Sequence, residues 1–432
     1  MRAVVVAFCA LAIYGTFKES DASEAFSSLY NPVLLSIPEF KYSDLCAYNG
    51  IDYTLDFRRA LYEFSAQLFK RIALESKFHC TTSPLSLWMT LAAMAEGTEG
   101  PAQEELLRSL NLPEDRCQRQ EFYKLAAGRE VPGSDMSLFR TRVMAYDESL
   151  KLNQFWDNFV RSNGLLTTLA VPMKRDPISA DSAMRNLIAT RQPIDFSGNS
   201  VILDSLDMQG LWTSAFSDAI IENSPFYDDS GKQIGTVDMM KMKKRIRMSY
   251  IPDLKMKVLE LPMGYDGRYR MLLGYSSGSI IEAATNFKND AIFDVMKNMR
   301  TSRIPIDIAI PRFTMTSEIN LRPILETMGI RSIWTDSYAT RNISEPAVKP
   351  SSILQRVTIT MDRAGTLPNT DDLPSFLSAS SAPLDTETGL DTNVGRDFIA
   401  NKPFVFVLRD SETSIGLMAA IFTRPTSFFQ LK

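Results

Sequence analysis

The C-terminal end of the chain contains two apolar runs that must pair with each other inside the protein. Residues 404–408 read FVFVL and residues 416–422 read GLMAAIF, with the turn-forming stretch DSET at 410–413 between them. Two such runs around a short polar turn predict a β-hairpin. Because apolar side chains fall on both faces of each strand, we expect other elements to cover both faces. The hairpin therefore requires a protein built from several packed layers.

The helical pattern is concentrated in the first third of the chain. Residues 83–97 read SPLSLWMTLAAMAEG, where Ser83 as N-cap and Pro84 at the first helical position predict the start of a helix. This helix is apolar nearly all round, which predicts that it is buried. Helical spacing of apolar residues predicts three more helices, over residues 56–75, 98–110 and 321–328.

The remaining chain has mostly the pattern of short strands. These β-type runs, bounded mainly by Gly or Pro, cover residues 201–203, 257–261, 269–273, 306–310 and 353–360. We find no internal repeat and no linker, so residues 56–432 are predicted to form one domain after an irregular arm over residues 23–55. Residues 366–392 differ from the rest, being rich in Pro, Ser, Thr and Asp without periodicity.

The first 22 residues have the pattern of a secretory signal peptide. Arg2 precedes a short apolar run over residues 3–14, and the small residues Ser20 and Ala22 stand at cleavage spacing. The run is too short to span a membrane, and no second long apolar stretch follows. We therefore expect cleavage after Ala22 and a secreted, extracellular, soluble protein with no membrane partner.

In a secreted protein, the cysteines are expected to form a disulfide and one asparagine to carry a glycan. Removal of Cys9 leaves Cys46, Cys80 and Cys117, which predicts one disulfide and one free or intermolecular thiol in an oxidising compartment. The sequence does not choose the pairing. The pattern at residues 342–344, NIS, predicts an N-glycan on Asn342.

Charge and residue types exclude several function classes. The formal net charge of −4 argues against binding nucleic acid through bulk charge. His79 is the only histidine, and its place just before the predicted buried helix favours a structural role over a catalytic one. Cysteine spacing predicts no zinc site, and no Gly-rich phosphate loop follows a strand. We expect a monomer with no enzyme activity, no metal and no cofactor.

Five stretches, in order along the chain, resemble signatures of the serpin family. They are SPLSLWMTLAAMAEG (83–97), LWTSAF (211–216), VLELP (258–262), IPRF (310–313) and NKPFVF (401–406). The resemblance runs from about residue 56 to 425. It implies one mixed α/β domain with a large central β-sheet, two smaller sheets, about nine helices and an exposed reactive loop, here residues 365–397.

The resemblance also implies a mechanism that the loop sequence can be checked against. In inhibitory serpins a protease cleaves the loop, stays attached as an acyl-enzyme, and is distorted as the loop inserts into the central sheet. An inserting segment needs its backbone N–H groups for the sheet ladder. Its alternate side chains point inward, so small or hydroxyl side chains suit those positions.

The hinge of this loop is unsuited to insertion. Aligned on Gly365 and Thr366, the inward positions are Thr366, Pro368, Thr370 and Asp372. The two threonines are acceptable, but Pro368 has no N–H and removes a ladder bond. Asp372 would bury a carboxylate at a cost of several kcal/mol. We expect insertion to stall at Pro368.

Two interpretations of the loop remain open at this point. It is either a surface connection without a bait function or a bait for a protease. In the second case, counting from Gly365 places the scissile bond between Ala379 and Ser380, where small residues suit an elastase-like enzyme.

A further departure from the family lies where the central sheet opens. Family members have a Ser, Ser, Asn and His cluster there; this chain matches at Ser83 and Ser86 but has Asp204 and Gln355 at the other two positions. A carboxylate and an amide can still hydrogen-bond. Arg363 also stands where the family usually has an acidic residue.

A run of cations follows one predicted strand. Five of the seven residues at 241–247 are basic: Lys241, Lys243, Lys244, Arg245 and Arg247. The run either binds a heparin-like polysaccharide or forms the solvated face of a β-strand.

These observations predict a secreted serpin-family protein that does not inhibit by trapping and acts as an extracellular binding, carrier or structural protein. The alternative is an inhibitor that traps an elastase-like serine protease. A third hypothesis is a polyanion-binding accessory protein.

Overall fold

The computed structural model describes Cys46 and residues 50–128, 136–216, 221–286, 291–336, 338–363 and 397–426. The chain divides into two units, Met1–Gly50 and Ile51–Lys432, and the fold described below belongs to the second. The predicted signal peptide, most of the arm and the predicted hinge and scissile bond lie outside the described residues. The domain boundaries therefore stay predictions.

Ten helices occur in the described residues. Helix α1 (Thr54–Glu75) buries its apolar stripe, and helix α2 (Pro84–Ala95) is buried on every side, as its composition predicts. Ser83 is the N-cap residue of α2 and Pro84 begins the helix, as predicted, but the Ser83 hydroxyl makes no capping hydrogen bond because it donates to the Leu417 carbonyl at 2.8 Å. The other helices are α3 (Gly100–Leu110), α4 (Arg116–Ala127), α5 (Gln154–Ser162), α6 (Pro177–Ile188), α7 (Ile280–Asn286), α8 (Ala291–Asn298), α9 (Arg322–Thr327) and α10 (Ser332–Thr335).

The strands of the described residues form three sheets. The strands are β1 (Cys80–Thr82), β2 (Met136–Asp147), β3 (Lys151–Leu152), β4 (Thr167–Val171), β5 (Ser200–Gly210), β6 (Ile221–Tyr227), β7 (Gln233–Lys244), β8 (Arg247–Ile251), β9 (Met256–Met263), β10 (Tyr269–Ser276), β11 (Arg300–Thr301), β12 (Ile306–Asn320), β13 (Ser344–Glu345), β14 (Pro350–Met361), β15 (Asp397–Ile399), β16 (Phe404–Asp410) and β17 (Gly416–Phe422).

The largest sheet has the order β4-β2-β5-β14-β12-β7-β6, with β15 beside β12. The long strand β12 connects its two parts, because the C-terminal part of β12 pairs with β14 and the N-terminal part pairs with β7 and β15. The second sheet has the order β1-β17-β16-β10-β9-β8-β11, and β13 pairs with β3. Three sheets and ten helices confirm the predicted mixed α/β architecture.

Helix α6 covers one face of the central part of the large sheet. Its buried side chains Ala180 and Met184 belong to the same apolar cluster as Val201 and Leu203 of β5 and Leu354 of β14. The opposite face of the sheet packs on the main core, which contains α1 and α2. Strands β5 and β14 are therefore buried on both faces over much of their length.

Strands β16 and β17 form the predicted C-terminal hairpin, with Phe404 opposite Phe422. Phe404 and Phe406 are buried in the main core. The expectation that both faces of the hairpin are covered holds only in part, because on the other face Ile421 is buried but Val405 and Val407 are half buried. Helix α1 covers that face incompletely and leaves a groove.

Two features are absent from the described residues, a membrane-spanning helix and a metal-binding cluster. No helix there combines the length and the hydropathy needed to cross a membrane. Nor do three His, Cys, Asp or Glu side chains come together there in a group suited to holding a metal ion.

Candidate functional site

Strands β5 and β14 lie side by side in parallel and hydrogen-bond directly to each other. We call this pairing the seam. Its register runs from Ser200 opposite Pro350 to Met208 opposite Ile359, and Asp204 lies opposite Gln355. A strand that entered the sheet between β5 and β14 would have to break this pairing. The seam is thus the place at which the trapping mechanism would act.

The four predicted cluster residues meet at the seam, and we call them the seam cluster. The Asp204 carboxylate accepts a hydrogen bond from the Ser86 hydroxyl at 2.5 Å and another from Gln355 Nε2 at 2.7 Å. Gln355 Nε2 also donates to the Ser83 carbonyl at 3.0 Å, and Gln355 Oε1 accepts from the Ser83 N–H at 3.1 Å. None of the four residues is more than 2 % exposed.

The seam cluster joins both strands of the seam to the start of helix α2. Asp204 comes from β5 and Gln355 from β14, while Ser83 and Ser86 come from the N-terminal end of α2. The Thr82 hydroxyl adds a fifth contact, donating to Gln355 Oε1 at 2.5 Å. Because buried polar groups that lose their partners destabilise a protein, the cluster opposes separation of β5 from β14.

A second carboxylate lies further along the same strand. Asp207 of β5 is opposite Thr358 of β14. Burial raises the pKa of the Asp207 carboxyl, and the nearby Arg356 guanidinium opposes this rise. Within the described part of the chain, no donor contacts the Asp207 carboxylate, whereas two contact that of Asp204.

The end of β14 is held at the point where the chain leaves the sheet. The buried Asp362 carboxylate accepts two hydrogen bonds from Arg312 of β12, at 2.7 and 3.1 Å. The Asp362 carbonyl accepts from Trp212 Nε1 at 2.8 Å, and the Arg363 carbonyl accepts from the Phe216 N–H at 2.8 Å. A carboxylate therefore remains at the top of this strand although residue 363 is basic.

The hinge residues Gly365, Thr366, Pro368, Thr370 and Asp372 lie outside the described residues. The same holds for the predicted scissile bond between Ala379 and Ser380. Their roles stay predictions from the sequence.

The basic run is divided between partners within the chain rather than presented as one patch. The run passes from β7 to β8, so its side chains do not share one face. The partners are Glu222 for Lys241, Asp307 for Lys243, the Ser214 hydroxyl for Lys244 and Glu260 for Arg247. Polyanion binding stays a prediction, with four of the five cations already in contact with other side chains.

The cysteines and the glycosylation asparagine have distinct environments. Cys80 is a free, buried thiol, and burial raises its pKa to about 11. Cys46 and Cys117 each take part in a disulfide. Asn342 is exposed, and its Nδ2 donates to Glu99 at 3.3 Å. Glycosylation of Asn342 stays a prediction.

The incomplete cover of the C-terminal hairpin produces an apolar groove of about 680 Å³. One wall is helix α1, and the floor is the sheet that contains β9, β10, β16 and β17. Residues that form the floor include Met256, Val258, Leu272, Val405, Val407 and Met418. Sequence reasoning missed this groove, and the only signal for it was the excess of apolar residues on both faces of the hairpin.

Comparison with known proteins decides the family. The family model for serpins (serine protease inhibitors) matches residues 59–425, which is most of the chain. The chain belongs to the serpin family. This confirms the resemblance carried by the five sequence signatures.

Individual serpins are similar to this chain at low identity. An uncharacterised serpin-like protein of Thermococcus kodakarensis is 22 % identical over 382 residues, covering 85 % of each chain. The structure of mouse protein-Z dependent protease inhibitor matches with a TM-score of 0.74 and 16 % identity, over 86 % of this chain and 98 % of that one. The structure of human thyroxine-binding globulin complexed with thyroxine also matches with a TM-score of 0.74 and 16 % identity. This match covers 87 % of this chain and 100 % of that one. At these identities the structural matches establish the fold alone.

Proposed function

We propose that this serpin is secreted, does not trap proteases, and acts as an extracellular binding protein without enzyme activity. The observation that carries the proposal is the hinge sequence. Pro368 removes a ladder hydrogen bond, and Asp372 would place a carboxylate at an inward position. Pro374 occupies the same inward register two residues later. Each residue raises the free energy of the inserted state.

The free-energy cost of opening the seam also supports the proposal. Insertion must separate β5 from β14 and disrupt hydrogen bonds of the seam cluster, each worth about 1 kcal/mol net. In an inhibitory serpin the new central strand compensates for this loss. A strand that stalls at Pro368 gains too few ladder bonds to do so.

Among binding functions, carriage of a small apolar molecule has the most support. A groove of about 680 Å³ falls within the volume range of ligand sites in proteins. Serpins with the same fold include human thyroxine-binding globulin, solved in complex with thyroxine.

The second candidate function is inhibition of an elastase-like serine protease by suicide-substrate trapping. Gly365 and Thr366 are the start of a hinge at the place where a serpin needs one. The fold is shared with mouse protein-Z dependent protease inhibitor. In this case the protease would attack between Ala379 and Ser380.

Denaturing gels distinguish the two functions. The purified mature protein is mixed with a panel of serine proteases that includes elastase, and the products are separated in SDS. We expect only cleaved serpin and free protease, because an acyl-enzyme that is not distorted is hydrolysed. A protease–serpin band that survives SDS would show that trapping occurs.

A further inference from the structure

Helix α6 covers only part of the large-sheet face on which it packs, which we call the outer face. Val201 and Leu203 of β5 pack against the helix. Because alternate residues of a strand point to the same face, Ser205 and Asp207 continue the outer face beyond Ile188, where α6 ends. A cleft of about 430 Å³ lies there, between the end of α6 and strands β2, β5 and β14.

The lining of this cleft includes apolar side chains from two elements. They are Leu138 and Phe139 of β2 and Leu187 and Ile188 of α6. Phe139 is 55 % exposed and lies opposite Asp207 in the antiparallel pairing of β2 with β5. Side chains that are opposite each other on one face of such a pair are close neighbours. The cleft therefore places an aromatic ring beside a carboxylate.

Two opposite charges line the cleft without contacting each other. Arg356 of β14 lies opposite Ser205, and Asp207 of β5 lies opposite Thr358, so the two charged residues are diagonal neighbours. In the part of the chain that the structure describes, no ion pair joins them and the Asp207 carboxylate accepts no hydrogen bond. Burial raises the pKa of the Asp207 carboxyl. A carboxyl kept in a cleft at this cost is typical of a binding residue.

The Arg356 guanidinium has donors that no described acceptor uses. Its Nε lies 3.5 Å from Glu318 Oε1 and makes no hydrogen bond among the described residues. Glu318 Oε2 accepts instead from the Thr190 hydroxyl at 2.9 Å and the Arg191 N–H at 3.4 Å. A guanidinium is a planar fork of five N–H donors that matches a carboxylate. Arg140 is a second cation of the lining.

We propose that this cleft binds a free α-amino acid with an apolar side chain. The ammonium group of the amino acid lies against Asp207 and its carboxylate against Arg356, so that one small molecule pairs both charges. The apolar side chain lies on Phe139 and Leu187. The volume of the cleft is within the range of small-molecule sites. This site is separate from the groove beside α1 and does not depend on the function proposed for that groove.

The bound amino acid would connect the two strands of the seam. Asp207 belongs to β5 and Arg356 to β14, and these are the strands that an inserting segment must separate. A ligand that contacts both strands binds only while they are paired. By mass action, the amino acid therefore stabilises the closed seam as its concentration rises.

Calorimetric titration of the purified mature protein with L-phenylalanine tests the proposal. Two analogues each lack one charge: N-acetyl-L-phenylalanine has no ammonium group, and L-phenylalaninamide has no carboxylate. We expect each analogue to bind about ten-fold more weakly than L-phenylalanine. Asp207→Asn should weaken L-phenylalanine about ten-fold and leave the N-acetyl analogue unchanged. Arg356→Gln should weaken L-phenylalanine and leave the amide unchanged.

Two matched controls make the same changes at exposed positions that do not line the cleft, Asp253→Asn and Arg303→Gln. Both should bind like the wild type. Asp207→Asn keeps the shape of the side chain and removes a carboxyl whose charge burial disfavours. It therefore remains informative if Arg356→Gln, which removes the partner of Glu318, does not fold.

Hydrogen exchange gives a second measurement. L-phenylalanine should increase amide protection on both β5 and β14 in the wild type and on neither strand in Asp207→Asn. The proposal is wrong if L-phenylalanine does not bind the wild type at millimolar concentrations, or if either analogue binds as tightly as L-phenylalanine. Equal binding of L-phenylalanine to the wild type and to Asp207→Asn would place the ligand elsewhere and would also overturn it.

Discussion

His79 is the only histidine in 432 residues, so its protonation can be assigned to one site of the fold. Its Nδ1 accepts a hydrogen bond from the Thr423 N–H at 3.2 Å, which requires the neutral ring. Burial lowers the pKa of His79 to about 4, and Arg424 contributes to the same shift. The ring is therefore a neutral structural group that contacts the chain just after β17.

This environment predicts a pH dependence of stability with a definite sign. The unfolded chain binds a proton at His79 near pH 6.5, whereas the folded chain resists it until about pH 4. Stability is therefore complete above pH 6.5 and is lost as the pH falls toward 4. Allowing for partial exposure of the ring, we expect a loss of about 1 kcal/mol between pH 7.5 and 5.5. Urea unfolding at the two pH values measures this loss of stability. The variant His79→Gln should not show it. Parallel pH profiles for the two proteins would contradict this assignment.

Sequence reasoning identified some residue roles and missed others for a physical reason. Ser83, Ser86, Asp204 and Gln355 were predicted to meet because a family resemblance relates distant positions, and the structure brings them together. Asp362 was missed because its role depends on the strand register that places it opposite Arg312. Alternation along residues 353–362 could have shown that Asp362 points away from the core, but not which cation it meets.

At the scale of elements, the seam depends on buried polar groups whose partners can be removed one at a time. Asp204→Ala removes the acceptor of the Ser86 hydroxyl and one of the two acceptors of Gln355 Nε2. We expect the free energy of unfolding to fall by about 2–4 kcal/mol. Asp207→Ala is the matched control on the same strand, because it removes a carboxylate whose ionised form is disfavoured by burial.

Urea unfolding compares the two variants, and hydrogen exchange locates the change. Asp207→Ala should unfold at the wild-type urea concentration or slightly above it. Amide protection should decrease along β5 and β14 in Asp204→Ala alone. Equal losses of stability in both variants would mean that the seam cluster has no special role.

The elements themselves were predictable where a local period is strong. Helices α1 and α2 and strands β9, β10, β16 and β17 follow from apolar spacing, with small shifts at their ends. What covers each face of a strand is not a local property. Val405 and Val407 have the sequence of a strand buried on both faces, yet helix α1 covers their face only in part. The groove therefore could be found only from the structure and not from the sequence.

At the scale of the whole molecule, the central question is whether cleavage of the loop releases free energy. A serpin that inserts its loop gains a strand in the middle of the large sheet, and its stability increases strongly. In this chain β5 and β14 are paired directly, and the sequence of the hinge predicts that it opposes a new strand between them. The proposed function therefore predicts a serpin whose stability does not change when the loop is cut.

Thermal unfolding before and after a single cut within residues 364–396 tests this account most directly. The wild type should melt within a few degrees of the same temperature in both forms. The triple variant Pro368→Ala, Asp372→Ala, Pro374→Ala restores an insertable sequence, and its cleaved form should melt tens of degrees higher than its intact form. A rise of tens of degrees on cleavage of the wild type itself would contradict the account.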